Sequence, residues 1–343
     1  MTRSFTRLLV AGGAGFIGSN FVRLLRHERP RTEVWVLDKL TYAGNPANLA
    51  EFEGTPGYRF VQGDICDQQL VDRLAGDVDA IVNFAAETHV DRSLMDPLAF
   101  VNTDVLGTAV LCEAARRHRH PVFHLVSTDE VYGEVPEGRS REDDALRPRS
   151  PYAASKAGAE HLAAAFAVSH GLPLLVTRGA NNYGPHQYPE KAVSVFVTNA
   201  IDERPIPLYN DGSAVRDYIY VEDHCRAIDL VLHEAPVGEV YNVGTEVETS
   251  GNELARLVCE LVGRSASLIE YVADRPGHDY RYAVDTGKLR TLGWTPRVDL
   301  PAGMELTVRW YLDRQDWWRP LKSPEYWDYY RRNYRPRKAI GAV

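Results

Sequence analysis

Leu8-Leu9-Val10-Ala11-Gly12-Gly13-Ala14-Gly15-Phe16-Ile17-Gly18 decides the fold. The short apolar run reads as a buried strand, and a helical pattern from Phe16 to His27 follows the glycines. Glycines at 12, 15 and 18 let the chain turn tightly and bring backbone N–H groups toward a pyrophosphate. The helix opening near Phe16 points its positive end at the same place. A glycine triplet alone is weak evidence. Here it follows a strand, opens a helix, and is succeeded by Val36-Leu37-Asp38 at the end of the next strand. An acid there accepts hydrogen bonds from an adenosine ribose 2′-hydroxyl and repels a 2′-phosphate, so the pattern favours NAD over NADP.

Working outward, short β-branched runs at Leu8–Val10, Val34–Leu37, Arg59–Val61, Ala80–Val82 and Val122–Val126 alternate with helical patterns at Phe16–His27, Asp67–Leu74 and Asn102–His118. Such alternation predicts an α/β fold, a Rossmann-type doubly wound parallel sheet with helices on both faces. Pro151–His170 is the clearest helix: Ser150 can cap it, Pro151 suits its first turn, and Gly171 can end it. Pro173–Thr177 reads as one more strand. After about residue 180 Pro, Gly, Asn and Tyr become frequent. The expected division is therefore a nucleotide-binding domain over 1–180, a smaller C-terminal α/β substrate-binding domain over 181–325, and a tail over 326–343. Segments near 221–245 are expected to return to the first domain. The tail is rich in Tyr and Arg, and the sequence leaves open whether it docks or frays.

Bulk properties exclude several classes. A chain of 343 residues, 44% apolar and 25% charged, has the make-up of an ordinary globular protein of one or two domains. No run approaches the length of consecutive apolar residues that a membrane span requires. Met1–Arg7 leads straight into a strand with no room for a signal peptide, so a cytoplasmic enzyme is expected. A net charge of −8 disfavours nucleic acid as a partner. The basic runs Arg116-Arg117-His118-Arg119-His120 and Arg331-Arg332 read as solvated helix ends and tail. Cys66, Cys112, Cys225 and Cys259 form no Cys-x-x-Cys pair and read as reduced. His118, His120 and His124 invite a metal, but Pro121 breaks the run and no carboxylate or cysteine stands at ligand spacing, so no metal is expected.

Tyr152 and Lys156 stand four apart and share a helix face. A nearby ammonium favours phenolate and would bring a tyrosine down from its ordinary pKa of about 10 toward working pH. Tyr152 could then take a hydroxyl proton as a hydride leaves for a nicotinamide, with Lys156 holding the nicotinamide ribose. Tyr334 and Lys338 repeat the spacing in the tail, where Pro336 interrupts the helix, and they read as coincidence. Ser127-Thr128 precedes the first pair at the end of the strand before its helix. The Gly-x-x-Gly-x-x-Gly spacing and Tyr-x-x-x-Lys resemble the extended short-chain dehydrogenase/reductase family. On that resemblance the candidate cofactor contacts are Gly12, Gly15, Phe16, Ile17, Gly18, Asp38, Lys39, Thr41, Asp64, Ile65 and Ala85, together with Tyr152 and Lys156.

Two adjacent acids, Asp129-Glu130, follow Thr128, where that family places side chains that react with substrate. Adjacent acids are usually surface charge, but chemistry offers these a task. Oxidising a hexose at carbon 4 makes the carbon 5 proton acidic and sets the carbon 6 hydroxyl β to a carbonyl. A base and an acid side by side would then expel water. Thr128-Asp129-Glu130-Val131-Tyr132-Gly133, Ser150-Pro151-Tyr152-Ala153-Ala154-Ser155-Lys156 and Asn181-Asn182-Tyr183-Gly184-Pro185 resemble the dTDP-glucose 4,6-dehydratase family. So do Ala85-Ala86-Glu87-Thr88-His89-Val90-Asp91-Arg92-Ser93 and Arg216-Asp217-Tyr218, and the match runs from about residue 7 to 325. A 4-epimerase normally lacks the Asp-Glu pair.

The resemblance implies Glu130 as the base at carbon 5, Asp129 as the acid at the carbon 6 hydroxyl, Thr128 as a partner of the carbon 4 oxygen, and Tyr152 as the redox base. It implies dTDP-glucose as substrate, contacted by His89, Thr128, Asn181, Asn182, Arg216, Asn242, Arg275 and His278, with the arginines meeting the diphosphate. It also implies a homodimer joined through helices near 102–118 and 151–170. Alternatives at this point are a UDP-sugar 4-epimerase, a UDP-sugar dehydratase, and a non-catalytic NAD-binding regulator.

Overall fold

The computed structural model describes residues 2–118 and 122–334. Arg119, His120, Pro121, Pro336 and Lys338 lie outside the described residues. The described strands run β1 (Arg7–Ala11), β2 (Glu33–Asp38), β3 (Tyr58–Gln62), β4 (Ala80–Asn83), β5 (Val122–Thr128), β6 (Leu174–Gly179), β7 (Asn181–Tyr183), β8 (Ile206–Tyr209), β9 (Val215–Tyr220), β10 (Val240–Val243), β11 (Glu248–Ser250) and β12 (Ile269–Val272). Seven of them form one parallel sheet in the order β10-β6-β5-β4-β1-β2-β3. β1, β4, β5 and β6 are almost wholly buried because both faces are covered, which is why they read as unbroken apolar runs.

Side chains alternate across this sheet. Leu8, Val10, Val34, Val36, Val82 and Val122 face the helices Phe16–Glu28 and Val221–Glu234. Leu9, Leu37, Ile81, Phe123 and Leu125 face the helices Gln68–Ala75, Gly107–His118 and Pro151–His170. The segment returning from the second half is therefore built into the first core on both counts: Val221–Glu234 packs under one face, and β10 pairs with β6. A separate core gathers Tyr183, Phe196, Leu208, Leu254, Val258, Met304, Tyr311 and Trp318. The small sheet β11-β9-β7 and the pair β12-β8 lie in this second half.

Local signals explain the element ends. Ser150 Oγ accepts from Ala153 N at 3.1 Å, and Gly171 closes the Pro151–His170 helix at φ 69° with its N–H on Ala167 O. The expected helix Asn102–His118 is not uniform. It begins earlier, at Pro97, and passes through a π-helical turn over Val101–Leu106 before settling into α-helix at Gly107. Among the described residues this Pro97–His118 run is the one long and apolar enough by composition to cross a membrane. Half of its apolar window is buried, and it packs on the helices Gln68–Ala75 and Pro151–His170 as a core helix does. The stretch from Tyr326 docks as far as it is described: it belongs to a helix Pro324–Asn333 that buries Tyr326 and Tyr329.

Candidate active site

A cleft of about 410 Å³ opens beyond the carboxyl ends of β1, β4, β5 and β6, over the point where the strand order reverses between β1 and β4. The glycine turn forms one wall. Gly12 sits at φ 75°, and a Cβ there would lie 2.5 Å from Ala85 N. A Cβ at Gly18 would lie 2.3 Å from Gly12 O, so the turn and the helix after it close on each other only without side chains. Gly15 caps that helix with no side-chain bond, which leaves its first N–H groups for a ligand. Asp38 closes the far side: its Oδ2 accepts from Ala14 N at 2.9 Å and its Oδ1 from Leu40 N at 2.8 Å. Lys39 pairs with Asp64 at 2.7 Å rather than standing free against a phosphate. Phe16, Ile17, Thr41, Ile65 and Ala85 complete this half of the cleft. The cradle fits a dinucleotide, with Asp38 carrying the acidic character expected of an NAD site.

The catalytic-looking turn follows from how β5 ends. Thr128 is extended at φ −138°, and Asp129–Tyr132 then form a single 3₁₀ turn closed by Gly133 at φ 74°. Thr128 Oγ1 accepts from Glu130 N at 3.3 Å and donates to Asp129 Oδ1 at 3.2 Å. Tyr132 pins the end of the turn, accepting from Arg178 Nη1 at 2.6 Å and donating to Asn242 Oδ1 at 2.8 Å. Burial, with Glu130 and Asp217 nearby, pushes the Asp129 carboxyl up to about 8, although Arg216 and the Thr128 hydroxyl pull it back. Asp129 is therefore a neutral acid at physiological pH. Beside it, Glu130 Oε2 is buried with no hydrogen-bond partner and lines the cleft. A proton donor and an unengaged carboxylate oxygen thus stand on consecutive residues.

Tyr152 and Lys156 reach the same cleft from the first turns of their helix. The expected acidification of the phenol by the ammonium is not what the structure shows. Lys156 Nζ donates to Val126 O at 2.8 Å, and burial with Glu130, Asp104 and Asp129 nearby holds the Tyr152 phenol well above its ordinary range. The dominant cause is burial in a site that already holds three acids, which helix-face spacing cannot reveal.

Asn181, Asn182, Arg216, Arg275, His278 and His89 all line the same cleft. Asn181 Oδ1 is buried and unpartnered. Asn182 Oδ1 is bound to His224 Nδ1 at 2.9 Å. Arg216 is held by the carbonyls of Val215, Tyr280 and Asp279, and Arg275 by Asp91 Oδ1 at 3.3 Å. His278 Nδ1 meets Asp274 Oδ1 at 2.6 Å. His89 has both ring nitrogens engaged, with Glu190 O and the Tyr329 hydroxyl at 2.9 Å each, so it braces the wall. Asn242 is a correction. It is fully buried away from the cleft, its amide bound to Tyr132 OH, Ser140 O and Asp285 O, because β10 carries it to the bottom of the Tyr132–Arg178 network.

Several cleft residues escaped the sequence reading. Lys191 stands behind Tyr152, its Nζ 5.9 Å from that ring centre and bonded to Thr88 O. Burial lowers its pKa against the pull of Glu130 and Glu190. A lysine opening the apolar run Ala192–Val197 was the available signal. Tyr209 and Tyr282 also line the cleft. Tyr334, set aside with Lys338 as coincidence, lies on the Tyr209 ring with centres 5.6 Å apart and lines the cleft.

A glycine-turn dinucleotide cradle, a Tyr-x-x-x-Lys helix at its mouth and a second half carrying arginines over the opening define a Rossmann-fold enzyme of the extended short-chain dehydrogenase/reductase type. A family model described as GDP-mannose 4,6 dehydratase matches residues 9–307. A dTDP-glucose 4,6-dehydratase of Streptomyces niveus is 52% identical over 324 residues, covering 93% of this chain and 96% of the relative. That of Streptomyces griseus is 50% identical over 319 residues, covering 92% and 97%. The crystal structure of DesIV, a dTDP-glucose 4,6-dehydratase from Streptomyces venezuelae with NAD and TYD bound, superposes with a TM-score of 0.90 at 49% identity, covering 92% of this chain and all of that one. The chain belongs to the dTDP-glucose 4,6-dehydratase family.

Proposed function

We propose that this protein is an NAD-dependent hydro-lyase that converts dTDP-glucose to dTDP-4-keto-6-deoxyglucose for deoxysugar biosynthesis. The observation that carries the reading is the neutral Asp129 acid beside the unengaged Glu130 oxygen, on one turn facing Tyr152. Bound NAD supplies a hydride acceptor for carbon 4 and a donor for carbon 6. Tyr152 takes the proton of the carbon 4 hydroxyl, while Thr128 hydrogen-bonds to that oxygen. Glu130 removes the carbon 5 proton, made acidic by the new carbonyl. Asp129 delivers its proton to the carbon 6 hydroxyl, which leaves as water, and once carbon 6 has received the hydride Glu130 returns a proton to carbon 5. Gly12, Gly15 and Gly18 admit the pyrophosphate of the cofactor, Asp38 selects its ribose, and Lys156 orients the nicotinamide side. Arg216 and Arg275, both fixed by protein contacts, present charge to the substrate diphosphate, with Asn182 beside them.

The reading extends to organisation. It divides the molecule into a cofactor half, residues 1–180 with 221–245, and a substrate half. Pairing of two copies is supported by the exposed Leu94, Met95, Leu98, Val101 and Leu106 along one helical edge. The four free cysteines, three of them buried, suit a reducing compartment such as the cytoplasm. The test is incubation of the purified protein with dTDP-glucose in heavy water with no NAD added. A product lighter by one water and carrying one deuteron from solvent is expected. Unchanged dTDP-glucose with turnover of UDP-glucose would replace the substrate, and no turnover of either would overturn the reading.

A further inference from the structure

Asn48 is 2% exposed and lies outside the cleft, yet its side-chain amide gathers bonds from three distant parts of the chain. Nδ2 donates to Ala14 O, inside the glycine turn, at 2.9 Å. Oδ1 accepts from the Trp317 indole N–H at 2.8 Å and from His186 Nδ1 at 3.2 Å. An indole N–H only donates, so the orientation of the amide is fixed, and His186 carries its proton on Nδ1 in this pairing. Ala14 belongs to the cofactor half, whereas Trp317 sits in the second core and His186 in the loop after β7. His186 is held at φ 68°, a left-handed backbone that persists at a non-glycine residue only where its surroundings fix it. The next residue, Gln187, is 4% exposed, lines the cleft and donates from Nε2 to Asn182 O at 2.8 Å. A line of contacts therefore runs from the glycine turn through Asn48 and His186 to the Asn182 wall.

We propose that Asn48 is a positioning residue that fixes the glycine turn to the substrate half, so that the hold on NAD is set partly by Trp317 and His186, neither of which lines the cleft. The inference rests on the cofactor reading above for NAD as the ligand. The turn presents backbone N–H groups from a stretch, Gly12-Gly13-Ala14-Gly15, that has almost no side chains of its own to hold it. A bond to Ala14 O from outside supplies what the turn lacks. Asn45 N shares that carbonyl at 3.0 Å, and the Asn45 side chain caps the short helix Pro46–Phe52 that carries Asn48. A buried amide is costly to leave unpaired, so displacement of Trp317 or His186 is felt at Ala14.

The test compares Trp317→Phe with Trp310→Phe. Both indoles pack on the His186 ring, with centres 5.7 Å and 4.7 Å away, but the bond to Asn48 comes from Trp317. The holoenzyme of each is mixed with isotopically labelled NAD, and exchange of the bound cofactor is followed by mass spectrometry. Trp317→Phe should speed NAD release about fivefold, the worth of one hydrogen bond, and Trp310→Phe should leave it at the parent rate. Asn48→Asp keeps an acceptor for Trp317 and His186 but sets an oxygen against Ala14 O, and its effect should be at least as large. Equal effects from the two tryptophans, or none from Trp317→Phe, overturn the proposal, because loosened packing alone would not favour the bonded ring. A second readout needs no cofactor. Backbone amides of residues 11–18 should exchange with deuterium faster in Trp317→Phe and not in Trp310→Phe, and the reverse overturns the proposal. A parent that holds no NAD would overturn the cofactor reading, while the amide exchange would still decide this one.

Discussion

Tyr152 and Lys156 lie one helical turn apart, yet the Lys156 ammonium donates to the Val126 carbonyl at 2.8 Å and the Tyr152 phenol keeps its proton. The phenol is held by burial among Glu130, Asp104 and Asp129, with a hydrogen bond to Thr128 opposing them. Proton removal by Tyr152 therefore belongs to the loaded site. Tyr152→Phe should lower kcat by roughly 10²–10⁴ with little change in substrate KM, which is the usual range for a lost acid–base group. A steady-state comparison decides it, and a near-parent kcat would remove Tyr152 from the redox step.

Glu130→Gln keeps the size of the side chain and removes the proposed base. Exchange of solvent deuterium into carbon 5 should vanish together with water loss, while oxidation at carbon 4 persists in a single turnover. Mass spectrometry of recovered substrate and product separates the two. Continued exchange would mean that another group removes the carbon 5 proton.

Asp129 sets the alkaline limb. On the proposed mechanism it enters the reaction protonated, and burial pushes its carboxyl up to about 8, so kcat/KM should fall about tenfold per pH unit above that value. The same shift makes the fold lose stability as pH rises from the ordinary carboxylate range to about 8, because the unfolded chain releases this proton earlier. Asp129→Asn should flatten the stability profile and slow water loss more than oxidation. A pH–rate profile without the alkaline limb would contradict the assignment.

The Arg178–Glu160 pair is buried at 7% and 5% side-chain exposure with Nη2–Oε2 at 2.7 Å, and the same guanidinium holds Tyr132. Glu160→Gln leaves a buried cation without its partner and should cost about 3–5 kcal/mol of unfolding free energy. Urea denaturation measures it. A loss under about 1 kcal/mol would show that water relieves the charge.

Gly12→Ala should abolish cofactor retention, because the new Cβ falls 2.5 Å from Ala85 N at a φ of 75°. Absorbance of the purified protein reports bound NAD, and parent-level NAD in the variant would exclude the turn as the cradle.

Much of this was legible in the residues. Strand runs covered on both faces, the glycine turn and the Ser150–Gly171 helix are local patterns, and each is carried by side chains close in sequence. The turn Thr128–Glu130 was singled out by its chemistry, and the structure brings it to the cleft beside Tyr152. What stayed hidden depends on distant packing. Asn242 looked like a cleft residue until β10 paired with β6 and put it under Tyr132. The phenol's proton affinity depends on acids from the turn after β5 and from a π-helical turn. Lys191 and Tyr334 reach the cleft only because the second core and the Pro324–Asn333 helix fold back over it.

The last strand of the cofactor sheet, β10, is made some sixty residues after its neighbour β6. A growing chain on the ribosome must therefore carry β6 with an unpaired edge while the whole segment Asn181–Glu239 is synthesised. Nascent chains halted before Val240 should bind chaperones that recognise open strands, and release should come once Val243 has left the ribosome rather than with completion of the first half.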